Sequence, residues 1–320
     1  MTRYILRRIL YLIPVWIGIS LLAYGLANLA PGDPARIALQ RQTGEPPTEE
    51  AVERTRQQMG LNDPFPVRYA RWLSQVAQGD LGKSYRTGAP VLRELSDRFP
   101  ATFQIAVVAL LIGLLISLPL GIVSAVRRDS AMDHGSRLVA LIGASMPSFW
   151  LGYVLIIIFA VTLKLLPVAG RGGPEHFVLP ALTLGLGAAA GLTRLTRSSL
   201  LEVLDDDYVR TARAKGLRER AVVLRHALKN ALIPIVTVTG IRFGHLLGGA
   251  VIIETVFAWP GIGKFVVDSI YDRDYPTIQG FVLFMGTVFV LINFLVDLSY
   301  LWLDPRVRLT GERGGTRGAR

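Results

Sequence analysis

Three sets of residues in this sequence have types and spacing that chemistry could use. Gly143-Ala144-Ser145-Met146 would present a serine nucleophile inside an apolar run, as an intramembrane serine hydrolase using Ser145 would require, and His245 is the available base. Such a nucleophile needs its base within hydrogen-bond reach and an oxyanion site. Nothing in the spacing brings His245 to Ser145, and a histidine packed between helices is the simpler reading. Gly82-Lys83-Ser84 has the ending of a phosphate-binding loop, but Ala77 stands where the leading glycine belongs, and no strand precedes it. Nucleotide is therefore not expected on this chain. The four histidines contain no His-Glu-x-x-His pair, and the absence of cysteine excludes disulfides and thiolate metal sites. No catalytic residue, metal ligand or cofactor is assigned to the chain.

The residues that remain are charged or small, and they sit in apolar surroundings. Arg242, Glu254 and Asp297 lie inside long hydrophobic stretches. Charge within a bilayer is costly, so each should face a partner or a wet cavity. Arg242 is about 16 Å along a helix from Ala231, near mid-membrane. A pair between Arg242 and Asp297 would fix the register of two helices. The alternative is that these charges line a pathway. Gly240, Gly244 and Gly248 recur every fourth residue and form one smooth helical stripe. The stripe serves either an interface with another subunit or pathway, or packing within this chain's own bundle.

The elements that must position these residues are membrane helices. The 320 residues are 51% hydrophobic and only 18% charged, against about 25% for a soluble domain. The net charge of +11 raises the question of nucleic acid, but its distribution answers it. Twenty of the 35 Lys and Arg fall in residues 1–8, 127–137, 194–229 and 304–320, which hold only 9 acids between them. That is the asymmetry of cytoplasmic loops beside membrane spans, and no nucleic acid is expected as a partner. The basic start MTRYILRRIL is followed by too long an apolar run for a cleaved signal peptide, so it reads as a retained anchor.

Six spans of near ~20 residues are predicted. They run over 9–30, 101–126, 138–163, 177–193, 231–257 and 281–303. The fold class is therefore an all-α polytopic membrane protein. An even number of spans puts both termini on one side, and Arg3, Arg7 and Arg8 at one end, with Arg306, Arg308 and Arg313 at the other, make that side cytoplasmic. Residues 31–99 form a long outer segment with nearly balanced charge, many prolines and one helix expected from Thr48 to Met59, capped by Thr48. Few large apolar residues occur there, so a docking element is expected rather than an independent domain. The domain plan is an anchor helix over 1–30, the outer segment over 31–99, a membrane core over 100–305 with a charged loop at 194–230, and a basic cytoplasmic tail over 306–320, Gly/Arg-rich and expected to be disordered after Leu309.

That charged loop carries the most information. From Asp206 to Pro234 a helix-forming block interrupts two strongly apolar stretches. Tyr208, Ala212 and Lys215 can share a helix face. Gly216 sits where the helix should stop, because glycine takes the left-handed cap without a Cβ clash. A second short helix from Arg218 leads to Pro234, which can open the next span. A stiff two-helix hook on the water side of a membrane suits docking to a partner.

Arg-Thr-Ala-Arg-Ala-Lys-Gly at 210–216, followed by His-Ala-Leu-Lys-Asn-Ala-Leu-Ile-Pro at 226–234, resembles the cytoplasmic coupling loop of binding-protein-dependent ABC importer permeases, closest to the dipeptide/oligopeptide branch. Residues 145–152, 179–184, 249–263 and 304–309 resemble further motifs of that family, and the likeness covers residues 1–309. The general importer motif begins Glu-Ala-Ala, and here Arg210, Thr211 and Ala212 stand in its place, so no role rests on the acid. The resemblance implies the type I importer permease fold. It implies that Tyr208, Arg210, Thr211, Ala212, Ala214, Lys215, Gly216 and Leu217 couple to an ATPase. It also implies the partners: a second, homologous permease, two ATPase subunits that hold ATP and magnesium, an extracytoplasmic substrate-binding protein facing residues 31–99, and membrane lipid. The implied cargo is a small peptide or a related solute.

Overall fold

The computed structural model describes residues 2–29 and 32–303, with side chains described for 10–296 save Ala30, Pro31 and Gln42, and for Leu298. The basic tail, and with it Arg306, Arg308 and Arg313, lies outside the described residues. Thirteen α-helices follow one another: α1 (Thr2–Leu29), α2 (Pro34–Thr43), α3 (Glu49–Gln58), α4 (Phe65–Ala77), α5 (Val91–Val126), α6 (Ala131–Ser145), α7 (Ser148–Leu155), α8 (Glu175–Leu204), α9 (Asp207–Ala214), α10 (Glu219–Ala221), α11 (Leu228–Val256), α12 (Ile262–Tyr271) and α13 (Tyr275–Leu303). Two π-helical segments, Ile156–Thr162 and Val222–Ala227, continue α7 and lead into α11. Among the described residues the only strand-like feature is an isolated bridge between Lys83 and Pro90. An all-helical chain is what lipid demands, because a helix satisfies its own backbone polar groups.

Among the described residues, five helices are long and apolar enough to cross a membrane. The third expected span is different. Its residues form α6 and then α7 with its π-helical extension, bent by 102° at the break. The single run expected over 138–163 is thus a bent pair. The cause is local: Pro147 keeps Met146 extended, with ψ 127°, and then opens α7. Helix ends also move. The second span begins at Val91, ten residues before the expected start, and the fourth continues to Leu204 past Thr193. Both extensions are polar, and hydropathy marks the edge of the bilayer rather than the end of a helix. Pro234 was expected to open the fifth span but lies inside α11, which starts at Leu228 and joins α10 through the π-helical turn.

The chain divides into two compact units. The first takes in residues 1–102 and 260–291. Its core holds Val76, Leu81, Val91, Leu95, Ile262, Phe265 and Leu283. The outer segment therefore shares its core with residues far along the chain. Buried Asp274 organises it, accepting hydrogen bonds from Ser84 Oγ, Tyr85 N at 3.0 Å and Thr277 Oγ1 at 2.9 Å. The Ser84 that looked like the end of a phosphate loop is thus a structural donor. Helix α3 is capped by Thr48 as expected, with Oγ1 accepting from Ala51 N.

The second unit takes in 103–259 and 292 onward, and α8 is its centre, packed by α6, α7 and α11. The approach of α5 to α8 is set by glycines. A Cβ on Gly185 would lie 2.7 Å from the Ala109 carbonyl, and one on Gly121 would lie 2.5 Å from Thr196 Cβ. Small residues at such crossings let backbones touch, which is the main source of helix association in lipid.

A seated hook and an arginine-lined cleft

The charged loop breaks at Gly216 between two helices as the sequence indicates and is anchored from within, but Ala212 does not share a face with Tyr208 and Lys215: it is buried and they are exposed. Helix α9 starts at Asp206, extended at ψ 146°, and ends at Lys215, followed by Gly216 at φ +76°. Val209 and Ala212 face inward, buried among Leu200, Leu204, Val222, Val223, Ala227 and Ala231. Arg213 closes the turn around Gly216 with a two-pronged contact to Glu219, Nε to Oε2 at 3.1 Å and Nη2 to Oε1 at 2.8 Å. That pairing raises the Arg213 pKa further, so the clamp is charged at any working pH. Asn230 Nδ2 donates to the Tyr208 hydroxyl at 2.7 Å, tying α9 to the base of α11.

The outer face is open. Tyr208, Arg210, Thr211, Ala214, Lys215, Gly216 and Leu217 are all exposed, and Leu224 joins Tyr208 and Leu217 as an exposed large apolar side chain. Of the expected coupling residues only Ala212 turns into the core, where it helps to seat the hook. Three bulky apolar groups are thus held out on a charged platform.

The intramembrane residues are spread out. A Cβ on Gly240 would run into Val296, so this glycine packs against α13 within the unit, whereas Gly248 has open space around it. Gly244 is buried. Glu254 is fully buried. The Asp297 side chain, and with it the expected pair with Arg242, lies outside the described residues. Arg242 itself lays its guanidinium in the space left by the missing side chain of Gly191 on α8. Its Nε is buried with no hydrogen-bond partner.

Sequence reasoning missed one pair of residues. Asp133 is fully buried at the start of α6 and takes both prongs of Arg197 from α8, at 2.8 and 2.7 Å. Ser124 Oγ and Asp129 N also donate to it. This knot ties the end of α5, the turn after it, α6 and α8 into one corner. The i+3 spacing of Ser130 and Asp133 was a legible helix-cap signal, but the partner 64 residues away was not. Beside the knot opens a cleft of about 610 Å³, lined by His134, Arg137, Leu138, Leu141, Arg194 and Arg197. Ser145, the candidate nucleophile, donates its hydroxyl hydrogen to the Leu141 carbonyl at 2.9 Å. Ser145 is exposed at the end of α6, with its hydroxyl bonded within its own helix.

A chain of apolar helices with a charged two-helix hook between α8 and α11 is matched by family models over almost its whole length. Residues 117–309 match the binding-protein-dependent transport system inner membrane component, and residues 1–106 match the N-terminal part of such a membrane component. The chain belongs to this family. Among its relatives, a dipeptide transport system permease protein of Alkalihalophilus pseudofirmus is 40% identical, over 96% of this chain and 100% of that protein. A glutathione transport system permease protein of Pectobacterium atrosepticum is 44% identical, over 96% and 99%. A probable D,D-dipeptide transport system permease protein of Escherichia coli is 43% identical, over 95% and 96%. Among solved structures, the inward-facing MetNI methionine ABC transporter superposes with TM-score 0.57 at 22% identity, over 66% of this chain and 96% of that one. That likeness shows the fold: this is a multi-pass membrane protein with the architecture of an ABC importer permease.

Proposed function

We propose that the chain carries small peptides inward across the cytoplasmic membrane as one of two homologous permease subunits of an ATP-driven importer. Two ATPase subunits hold the ATP and magnesium and seat the hook. A binding protein on the outer side delivers solute to the unit built from residues 1–102 and 260–291. Both termini face the cytoplasm. The chain itself does no covalent chemistry: it converts ATPase closure into helix rearrangement. The observation that carries this reading is the hook, with its inner face locked into the bundle by Val209, Ala212 and the Arg213–Glu219 clamp, and its outer face offering Tyr208, Leu217 and Leu224. The peptide cargo is supported by relatives named for dipeptide and glutathione transport.

Gly216 provides the test. A Cβ there would touch nothing, so a substitution acts through the backbone alone. Holding a non-glycine residue in the left-handed region costs about 1–2 kcal/mol, more for a β-branched one, which is roughly a tenfold loss of the correct turn. In the reconstituted complex Gly216→Val should cut dipeptide uptake by about that factor while the partner subunits continue to hydrolyse ATP. Coupled transport at the wild-type rate would remove the hook from the mechanism.

A further inference from the structure

The unit built from residues 1–102 and 260–291 makes one rigid surface from three segments that lie far apart in the sequence. Asp272, in the turn between α12 and α13, pairs with Arg41 of α2 at 3.0 Å and with Arg86 at 3.4 Å. Arg86 stands on the exposed tip of a tight loop, closed by the Lys83–Pro90 bridge and by Ser84 N donating to the Ala89 carbonyl at 3.0 Å. That loop is rooted on buried Asp274 through Ser84 and Tyr85. The turn is fixed as well: Asp274 N donates to the Ser269 carbonyl at 2.8 Å, and Arg273 is held at φ +54°. The Arg273 side chain is exposed, lies beside Gly32 and makes no ion pair among the described residues. Out of this frame stand Tyr271, 83% exposed, and Ile270, 55% exposed. Both turn away from the face of α12 that buries Ile262, Phe265, Val266 and Ser269. Apolar side chains exposed on the spans, such as Leu115, have lipid to cover them. These two do not. Their turn precedes α13, whose apolar run starts at Phe281, about 9 Å along the helix from Tyr275, so the turn stands clear of the hydrocarbon.

Resting on the import reading, we propose that this surface is where the outer binding protein docks, with Tyr271 as its anchor. An aromatic side chain with arginines around it has the composition of an interface hot spot. The frame is fixed before the partner arrives, so little ordering entropy is lost on docking. Charge defines the partner's side of the contact. Three guanidinium groups, of Arg41, Arg86 and Arg273, surround one surface carboxylate, Asp272. The complementary surface is a pocket wide enough for a tyrosine ring, with an acidic rim. The docking face thus draws on the turn after α12 as much as on the long segment that precedes α5.

The test measures binding of the importer's own binding protein, loaded with dialanine, to the complete importer, both in phosphatidylcholine nanodiscs and in detergent. Tyr271 is exposed, so Y271A leaves no buried gap. It should weaken binding about 30-fold in both settings, the loss that marks a hot spot. Y271F keeps the ring and should keep most of the affinity. R273E at the rim should slow association severalfold at low salt, and the difference should fade at about 0.5 M salt, because rim charges act on the encounter and are screened. Unchanged affinity in Y271A overturns the proposal and leaves the import reading standing. Failure of the wild-type importer to bind the loaded protein overturns both. A loss seen in nanodiscs and not in detergent assigns Tyr271 to the membrane surface and overturns the proposal. So does a loss that comes with dissociation of the second permease, because Tyr271 would then belong to that interface.

Discussion

At the scale of residues, the most consequential contact is the one joining Asp133 to Arg197. A fully buried carboxylate with a bidentate guanidinium, a serine hydroxyl and a backbone amide has its hydrogen-bonding capacity filled. Removing one partner strands the other charge, at a cost of roughly 3–5 kcal/mol, whereas replacing both with apolar residues of similar size is often nearly neutral. R197M alone should therefore lower the melting temperature of the detergent-solubilised complex markedly, and R197M with D133L should recover most of it. Equal melting of both variants and wild type would show that the knot carries no stability. The residues of the hook were legible because they lie in one continuous segment. Local chemistry, a charged helix and a glycine stop, specifies them. The Asp133 knot was not, because its two halves meet only after α6 has folded back on α8. Arg242 was visible as an anomaly from hydropathy alone, but its neighbour Gly191 belongs to another helix, and no spacing rule connects them.

At the scale of elements, small residues decide which helices touch. The sequence drew attention to the even stripe of Gly240, Gly244 and Gly248, yet another close crossing is made by Gly121 and Gly185 between α5 and α8. These two lie on different helices and show no period. Overpacking a close crossing costs about 1–3 kcal/mol. Gly185→Leu should accordingly destabilise the chain itself, read as loss of folded protein in detergent. Gly248→Leu meets nothing in this chain and should leave the chain intact. If that glycine faces the second permease, co-purification of the second subunit should drop in the Gly248→Leu variant. Wild-type yield of the pair would confine the stripe to packing around Gly240. The helices themselves were largely legible from runs of apolar residues. Their ends were not, since α5 and α8 continue as polar helices where hydropathy has already fallen. The bend after α6 was legible only as a proline, and prolines elsewhere in this chain, such as Pro180 and Pro234, sit inside continuous helices.

At the scale of the molecule, the charge asymmetry makes a prediction about sidedness. Arg127 and Arg128 follow α5, and residues 32–90 precede it, so a single crossing separates them. Reporter fusions after Arg128 and after Gln75 should give opposite signals in whole cells, with the former cytoplasmic. The bent pair sharpens the experiment. If α6 and α7 turn back without crossing, a reporter placed after Lys164 will share the side of Arg128; if they cross, it will share the side of Gln75. Matching signals from the Arg128 and Gln75 fusions would break the topology.

The hook is not joined to the bundle by a flexible tether. Helix α10, the π-helical turn and α11 form one element from Glu219 to Val256, 38 residues long. At 1.5 Å per residue this is a beam of about 57 Å. A beam of that length is a lever. If it pivots at the end clamped by Arg213 and Glu219, a tilt of about 10° moves the far end by about 10 Å, about the spacing of two packed helices. A small tilt at the hook end therefore suffices for a large displacement at Val256. The π-helical turn, one residue wider than its neighbours, is the point where the beam can yield.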